Sequence, residues 1–559
     1  MKKHAYIWII LFFVGTGLRF LDLWHPVDRE SWREADLASI ARNFDQESMN
    51  ILQPRIDWRG QGSGIAEMEF PIYPWLIAVS YKIFGQHDIA GRILSYLFSL
   101  LSMIVFFMIA RKWLENIAAL IASLFFVCSP LLIQISTAIQ SESLMLLFDL
   151  IAIYAFLEWI DKKLWKHFLL AAIATSAAIL VKISNAYIGI FFLFVLIDKG
   201  KLKPFANIRI YLFGAIALVP PLLWYALAKG YWHTYGNSLG LSNEYHWIGL
   251  DFFTNPYFIK GLIFNDLSFA LMPSGLIIIL FSIFYYKIKE VTILRYSLFW
   301  MTSIYIYYII TCRTSADQWS IYYHCISAPA GALLFGFGVN SILTLKKIKP
   351  LFGLLLGSVI ISAILILGSH FGLFDYGSET MPEIIVIIMC TVLLLGTYIF
   401  WKKNKALSFS KNIFGKMNLL HIIAIAFISI TVFYQSIKIK NMLQVAVPST
   451  YYECINDITR IIPHDALIIA SGGIKHDFTN YPVAYNAPYF FYWLYLKGFN
   501  IPIEDQNISK VNDLKMQGAK FFIAEKSMLQ QMDGFENDLR QTFTLQYQRN
   551  GILVFDLMN

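Results

Sequence analysis

Carboxylates and cations crowd together in one short polar stretch near the N-terminus. Arg33, Glu34 and Asp36 lie close together there, and Asp28 precedes them. A carboxylate within hydrogen-bond reach of a hydroxyl group can take its proton, and an arginine can neutralise a phosphate. These residue types therefore suit a reaction in which a hydroxyl attacks and a phosphate leaves.

Similar polar side chains recur further along the chain, beside apolar runs. They are Glu67, Glu69, Glu142, Lys182, Arg313, Tyr323 and His324. An ionised group at bilayer depth costs about 2.5 to 3.5 kcal/mol, so such groups are paired, snorkel to the interface or serve a function. Snorkelling is the main alternative for Lys182, and an interfacial aromatic belt is the alternative for Tyr322. The sequence has no phosphate-cradling glycine-rich loop, no Gly-x-Ser-x-Gly and no His-Glu-x-x-His.

The composition places these residues in a membrane protein. Of the 559 residues, 57% are hydrophobic and only 15% are charged, and the mean hydropathy is +0.56. A soluble chain of this length needs a larger polar surface. The net charge of +8 does not indicate nucleic acid, because the lysines and arginines form short clusters between apolar runs. The five cysteines have neither disulfide-framework nor metal-ligand spacing.

The apolar runs predict about thirteen transmembrane helices of about 20 residues each. The predicted spans are Ala5–Leu21, Ala90–Ala110, Asn116–Ile135, Leu144–Ile160, Phe168–Val181, Tyr187–Ile197, Ile210–Ala228, Phe269–Tyr286, Tyr296–Thr311, Cys325–Leu343, Leu351–Leu373, Pro382–Trp401 and Leu419–Ile437. Basic clusters fall in every second gap, which puts the N-terminus in the cytoplasm of a plasma or inner membrane. Met1–Leu23, which lacks a small-residue cleavage site, is then a retained signal anchor. The odd number of spans leaves the C-terminal tail outside.

Residues 24–89, called the first loop from here on, are predicted to lie outside as well. From Trp32 onward the apolar residues recur at helical spacing, which predicts an amphipathic helix on the membrane surface. Arg33 and Asp36 are then neighbours on that helix, whereas Glu34 points elsewhere. The alternative is a polar face that is merely solvated. Pro71–Phe84 is too short to span comfortably and is predicted to be a re-entrant or interfacial helix.

Residues 438–559 change character. Ala466–Ala470, Lys520–Ala524 and Ile552–Phe555 have the pattern of short strands, and Asn550-Gly551 predicts a hairpin. The predicted fold class is an all-α polytopic membrane protein with a small C-terminal α/β, or α+β, extracytoplasmic domain. The predicted domains are residues 1–437, transmembrane and catalytic, and residues 438–559, soluble.

The order of these features resembles the GT-C membrane glycosyltransferases, in particular the superfamily of protein O-mannosyltransferases and lipid A aminoarabinose transferases. Each motif alone is weak, but their order is specific over roughly the first 340 residues. The matching features are a first-loop helix like Ala38–Phe44, Glu69-Phe70-Pro71 leading to Trp75, Glu142 opening the fourth span, Lys182 ending the fifth, and Tyr322-Tyr323 before a tenth span that contains Pro329.

This resemblance implies the transfer of a hexose or pentose from a polyprenyl-phosphate carrier to an acceptor on the outer face, with inversion. A first-loop carboxylate would be the base or would position the acceptor, with Asp36 first, Glu34 next and Asp28 third. By the same resemblance, Lys182, Arg33, Arg313 and His324 would hold the donor phosphate, and Glu67, Glu69, Glu142 and Tyr323 would position sugar or acceptor. The sequence departs from the family pattern twice. The usual adjacent acidic pair is separated into Glu34 and Asp36, and Phe70 replaces a lysine that often follows the glutamate.

The partners expected from this interpretation are the lipid-linked donor, membrane lipid and an acceptor glycan, lipid or protein, but no nucleic acid. No cofactor requirement is visible, and no ligand spacing supports a divalent cation. The alternative function is a lipid or glycan transporter or flippase without transferase activity. Against it, the ionisable groups gather at one face and no paired repeats are visible. A non-enzymatic anchoring protein would need no charges at several span ends.

Overall fold

Apolar α-helices dominate the chain up to residue 444. The computed structural model describes residues 5–20, 23–27, 32–200, 206–242, 248, 251–311, 315–316, 318–345, 353–361, 363, 381–403, 419–444, 452–477 and 480–558. Among these, 6 helices are long and apolar enough to cross a membrane, or up to 8 if each of two bent pairs is one span. The chain is therefore an integral membrane protein, as its composition predicts.

Apart from Leu351–Leu373, each predicted span overlaps a described α-helix. Leu351–Leu373 lies largely outside the described residues, so the total of about thirteen stays a prediction. In chain order the described helices are α1 (Ala5–Phe20), α2 (Trp32–Gln46), α3 (Ile72–Phe84), α4 (Asp88–Arg111), α5 (Asn116–Val127), α6 (Pro130–Thr137), α7 (Glu142–Lys162), α8 (Trp165–Val181), α9 (Tyr187–Gly200), α10 (Ile208–Tyr235), α11 (Pro256–Asn265), α12 (Pro273–Tyr285), α13 (Thr292–Ile310), α14 (Ala328–Leu343), α15 (Met381–Lys403) and α16 (Leu419–Gln444).

Two predicted spans are bent in the structure. Asn116–Ile135 consists of α5 and α6, which meet at 56°, and the chain turns by 93° before α12 within Phe269–Tyr286. A proline opens the second helix of each pair, where its missing N–H and its ring cannot continue the preceding helix. At the sharper bend Met272 has a φ of +59°. The apolar pattern alone did not reveal these bends.

The first loop contains the predicted helix α2, but its surroundings differ from the prediction. Every residue from Glu34 to Phe44 is buried, because α3 packs on one side and a helix of the C-terminal domain, Pro488–Leu494, packs on another. Small side chains such as Ala35, Ala38 and Ala41 permit this close packing. The helix is therefore enclosed by protein rather than lying amphipathically on a membrane surface.

The C-terminal part forms one mixed sheet of five strands in the order β2-β1-β3-β5-β4. The first three strands pair in parallel, and β5 pairs antiparallel with both β3 and β4. The predicted hairpin is confirmed, since Asn550 and Gly551 turn between β4 and β5 with φ of +49° and +80°. The elements are α17 (Ile455–Ile461), β1 (Leu467–Ser471), α18 (Pro488–Leu494), β2 (Lys497–Ile501), α19 (Ile508–Met516), β3 (Ala519–Glu525), α20 (Lys526–Leu529), α21 (Phe535–Thr542), β4 (Thr544–Arg549) and β5 (Ile552–Asp556).

The boundary between the two predicted domains falls inside a helix. Helix α16 continues past residue 437 to Gln444, and the described part of the sheet domain begins at Tyr452. The division into residues 1–437 and 438–559 stays a prediction.

Candidate active site

Arg33 and Glu69 form an ion pair where α2 meets the segment before α3. Arg33 Nη2 lies 2.5 Å from Glu69 Oε2, and the two side chains remain 12% and 11% exposed. Arg33 Nη1 also donates to the carbonyl oxygen of Leu239 at 3.2 Å. Burial alone would lower the pKa of Arg33, but Glu69 and nearby tyrosines raise it above its ordinary value. The guanidinium is therefore a permanent cation that stays within reach of a ligand.

A second ion pair joins Lys182 to Glu142, and both side chains are buried. Lys182 follows the end of α8, and Glu142 is the first residue of α7, where the helix dipole favours a negative charge. The ammonium nitrogen of Lys182 also lies 4.6 Å from the ring centre of Tyr322 and 4.1 Å from that of Tyr323. Such contacts stabilise a buried cation. Lys182 is therefore held in place by protein groups instead of snorkelling to solvent.

The two ion pairs are neighbours. The N–H of Phe70, next to Glu69, donates to the carbonyl oxygen of Leu180 at 2.9 Å, which fastens the first loop to the end of α8. Glu142 and Tyr322 act electrostatically on Arg33, and Glu69 and Arg33 act on Lys182. The structure thus brings together most of the predicted phosphate-binding and positioning residues. We call Arg33, Glu69, Glu142, Lys182, Tyr322 and Tyr323 the charged cluster.

Asp36 lies one helical turn from Arg33 and is 1% exposed. Its Oδ1 accepts a hydrogen bond from the indole N–H of Trp58 at 3.0 Å, whereas its Oδ2 has no hydrogen-bond partner within the described chain. Burial raises the pKa of Asp36 to about 7, with Trp58 and Arg33 opposing the rise and Asp57 adding to it. A carboxyl group poised near neutral pH, with one oxygen unengaged, has the properties of a general base.

Glu34 and Glu67 lie in separate hydrogen-bond networks. Glu34 accepts from the backbone N–H of Ile139 at 2.6 Å and pairs with the fully buried Arg92 at 3.3 Å. Glu34 therefore fastens α2 to α4, and it points away from Arg33 as predicted. Glu67 accepts from the hydroxyls of Ser238 and Ser242 at 2.6 and 2.8 Å. These contacts tie segments of the chain together, and a catalytic or positioning role for either residue stays a prediction.

The imidazole of His324 is enclosed by protein groups. Its Nδ1 lies 2.7 Å from Asp266 Oδ1, its Nε2 lies 2.6 Å from the carbonyl oxygen of Ser315, and the ring is fully buried. The structure therefore engages both ring nitrogens within the protein. The predicted phosphate contact of His324 stays a prediction. The phosphate contact predicted for Arg313 and the role of third candidate base predicted for Asp28 concern residues outside the described part of the chain.

The sequence did not single out Trp58, or the buried ion pair of Arg42 and Asp57 beside it. Arg42 Nη2 lies 2.5 Å from Asp57 Oδ2. Trp58, the hydrogen-bond partner of Asp36, lies in an irregular segment, so no helical or strand periodicity in the sequence points to it. No group of three or more His, Cys, Asp or Glu side chains in the described part of the chain could hold a metal ion.

Comparisons with known proteins agree with this fold. Residues 69–225 match the family model described as dolichyl-phosphate-mannose-protein mannosyltransferase. The structure is similar to that of ArnT from Cupriavidus metallidurans bound to undecaprenyl phosphate, with a TM-score of 0.59, 13% identity and coverage of 99% of this chain and 97% of that chain. A search of curated proteins finds no match.

A second similar structure is the archaeal oligosaccharyltransferase AglB from Archaeoglobus fulgidus in complex with an inhibitory peptide and a dolichol-phosphate. The TM-score is 0.51 at 11% identity, with coverage of 94% of this chain and 69% of that chain. At such identities the likeness concerns the fold.

Proposed function

We propose that this chain, which has the fold of the GT-C glycosyltransferases and so confirms the resemblance seen in its sequence, transfers a sugar from a polyprenyl-phosphate carrier to an acceptor hydroxyl. The observation that supports this most is the charged cluster beside Asp36. It assembles phosphate-binding cations and a poised carboxyl group from segments far apart in the sequence. A transporter would not need a general base at this position.

Arg33 and Lys182 bind the donor phosphate in this proposal. A guanidinium carries five N–H donors, and Glu69 and the Leu239 carbonyl accept from it. Lys182 has three donors and hydrogen-bonds Glu142. Because the two pairs influence each other electrostatically, the proposal assigns their remaining donors to one phosphate group. The carboxylates balance the buried cations before the donor arrives, which limits the cost of holding two positive charges together.

Asp36 acts as the base. Its unengaged Oδ2 takes the proton of the acceptor hydroxyl as that oxygen forms a bond to the anomeric carbon. The bond between the anomeric carbon and the phosphate oxygen breaks, and its electron pair leaves with the polyprenyl phosphate. Arg33 and Lys182 stabilise the negative charge that develops on this phosphate. Direct displacement inverts the anomeric configuration.

The reaction takes place on the outer face of the membrane in this proposal. Basic clusters in alternate loops put the first loop outside, and the C-terminal domain packs against the same loop. The similar structures hold undecaprenyl phosphate and dolichol-phosphate, which supports a polyprenyl-phosphate donor here. The acceptor is a glycan, a lipid or a protein, and no cofactor is part of the proposal.

The test uses the purified chain in lipid nanodiscs with polyprenyl-phosphate hexoses and pentoses, and an envelope extract as acceptor source. We expect consumption of one donor class and release of polyprenyl phosphate. Asp36→Asn should lower the rate about a hundredfold or more. Asp45→Asn, at the partly exposed end of the same helix, is the matched control and should keep full activity. Donor movement across liposomes without donor consumption would contradict the proposal and favour a flippase.

A further inference from the structure

The C-terminal sheet extends its edge with a piece of the first loop. The N–H of Gly498 on the edge strand β2 donates to the carbonyl oxygen of Asp57 at 3.2 Å, and the N–H of Gly60 donates back to Gly498 at 2.6 Å. Gly60 has a φ of +56°, and a Cβ there would lie 2.4 Å from the ring of Phe499. Residues 57–60 are therefore bonded, and closely packed, to the C-terminal domain.

Arg42 joins the same domain to the side chain of Asp57. One of its nitrogens donates to the carbonyl oxygen of Tyr492 at 2.8 Å, and another binds Asp57 at 2.5 Å. The ring centre of Tyr495 lies 4.5 Å from the guanidinium carbon. Asn43 donates to the second oxygen of Asp57 at 2.8 Å. Asp57 is thus fixed through its backbone by β2 and through its side chain by α2, whose Arg42 is itself bonded to α18.

Trp58 follows Asp57 directly and reaches the carboxyl group of Asp36. The hydrogen bond from its indole occupies Oδ1, and Oδ2 keeps no partner within the described residues. A carboxyl group rotates easily about its terminal torsion. A donor that fixes one oxygen therefore fixes the direction of the other.

We propose that the C-terminal domain is part of the catalytic machinery: it holds residues 57–60 so that Trp58 is a positioning residue for the base Asp36. The identification of Asp36 as a base rests on the proposed function above. The orientation of the base toward the acceptor then depends on a domain far away in the sequence, since Arg42 and Tyr492 are 450 residues apart.

Electrostatics supports this assignment. The hydrogen bond from Trp58 lowers the pKa of Asp36, against the larger effect of burial. The charged groups that act on Asp36 are Arg33, which also lowers its pKa, and Asp57, which raises it. Because Arg42 pairs with Asp57, it offsets part of that repulsion. Trp58 thus both orients the base and favours its ionised form.

The test is the pH dependence of transfer in Trp58→Phe. Phenylalanine keeps most of the ring volume but cannot donate the hydrogen bond. In the unaltered protein kcat/KM should rise with pH through about 7, where Asp36 ionises. In Trp58→Phe the midpoint should move up by about one pH unit, the usual effect of losing one charge-assisted hydrogen bond. An unchanged midpoint would overturn the proposal.

The control is Trp75→Phe. The indole of Trp75 also makes one hydrogen bond in this region, to the carbonyl oxygen of Met49 at 3.0 Å, but it does not contact Asp36. Its pH profile should match that of the unaltered protein. A shift in both variants would assign the effect to general loosening of the first loop and would overturn a positioning role for Trp58.

Labelling by a carbodiimide, which reacts with protonated carboxyl groups, measures the state of Asp36 without any sugar transfer. Peptide mass spectrometry at several pH values should show that labelling of Asp36 persists to higher pH in Trp58→Phe than in Trp75→Phe. If the unaltered chain transferred no sugar, the proposed function would be refuted but the positioning role of Trp58 would not. Identical labelling curves for the two variants would refute this inference alone.

The role of the domain is tested by Arg42→Lys, which keeps the charge but cannot make the same set of forked hydrogen bonds. In Arg42→Lys the midpoint of the rise of kcat/KM with pH should move in the same direction as in Trp58→Phe. When Arg42→Lys is combined with Trp58→Phe, the midpoint of the pH profile should shift little further, because both changes act through the same contact. When Arg42→Lys is combined with Trp75→Phe, the shifts of the two single variants should add. Full additivity of Arg42→Lys with Trp58→Phe would overturn the link between the domain and Asp36.

Discussion

At Lys182 a buried cation is balanced by the carboxylate of Glu142, so a change to either side chain alone also tests stability. Removing one partner of a buried ion pair leaves an uncompensated charge at a cost of about 3 to 5 kcal/mol. The same holds for Arg33 and Glu69, although these side chains are slightly exposed. Function at the charged cluster is therefore best measured with substitutions that preserve the charge balance.

Lys182→Met combined with Glu142→Gln meets this condition. We expect the double variant to fold with a yield near that of the unaltered chain, while its affinity for the lipid-linked donor falls about tenfold or more, because a phosphate contact is lost. Donor binding is measured by scintillation proximity with a labelled polyprenyl-phosphate sugar. The matched control is Lys112→Met with Glu158→Gln, another paired lysine and glutamate outside the charged cluster. Equal affinity in both double variants would contradict phosphate binding by Lys182.

A different prediction concerns Asp36 and stability. Its pKa is about 7 in the folded chain against an ordinary value of 3.8, so the folded state favours the protonated form. As pH rises from about 4 to about 7, the Asp36 carboxyl group loses its proton in the unfolded chain but keeps it in the folded chain. This difference lowers the free energy of unfolding by up to about 4 kcal/mol above pH 7. Asp36→Asn removes this effect. The melting temperature of the variant should therefore exceed that of the unaltered chain at pH 8 by more than at pH 5.

Asp45→Asn provides the control for the stability measurement, because Asp45 pairs with Lys82 at a partly exposed helix end. Its melting temperature relative to the unaltered chain should vary little between pH 5 and pH 8. A constant difference for Asp36→Asn across that range would contradict the shifted ionisation of Asp36.

Among the elements, the membrane helices could be predicted from the sequence, because a long apolar run in lipid must satisfy its backbone hydrogen bonds internally and therefore forms a helix. Burial of α2 could not be predicted in this way. Its covering helix, Pro488–Leu494, lies far along the chain, and polar residues such as Arg42 carry no local signal of burial. Strand β2 also gave no signal, since Gly498 and Asn500 are poor strand residues and pairing with β1 decides their conformation.

In the candidate site, too, some features could be predicted from the sequence and others could not. Residue types and their position at span ends predicted Arg33, Asp36, Glu69, Glu142 and Lys182. Their pairing could not be predicted, because the partners are 36 residues apart for Arg33 and Glu69 and 40 apart for Lys182 and Glu142. Periodicity within one helix identifies neighbours on that helix only.

A buried polar network surrounds Asp266, the first residue of the short π-helix Asp266–Leu271 that precedes the bend before α12. Asp266 accepts from Ser327 Oγ at 2.6 Å and interacts with His324. His324→Phe should lower the free energy of unfolding by about 2 to 4 kcal/mol, because Asp266 loses a partner in a buried site. Ser282→Ala, which removes a hydroxyl that donates to the carbonyl oxygen of Ile278 in its own helix, is the control for thermal unfolding. Equal stability of the two variants would show that the network does not hold the bend.

Across the described part of the molecule, the largest apolar core runs from the membrane helices through α2 to one face of the sheet, while the other face of the sheet has a separate core. The largest core includes Phe106 of α4, Ile40 of α2 and Ile468 of β1. A domain held only by a flexible tether would share no core with the membrane helices. The C-terminal domain is therefore packed as part of the molecule, and loosening its contact should loosen the first loop.

Trp493 is the residue at which this coupling can be tested. Its indole donates to the carbonyl oxygen of Val27 at 2.5 Å, and its ring packs 5.1 Å from that of Tyr489. Trp493→Ala removes the contact with Val27 of the first loop and the ring packing within α18 that holds the indole in place. Amide hydrogen exchange in residues 56–66 should accelerate about tenfold or more, because local opening no longer has to break this packing. Met516→Ala, a change at a side chain that is 79% exposed on the same domain, should leave exchange there unchanged. If residues 56–66 stayed equally protected in Trp493→Ala, the first loop would be ordered without the C-terminal domain, and the two parts of the molecule would act independently.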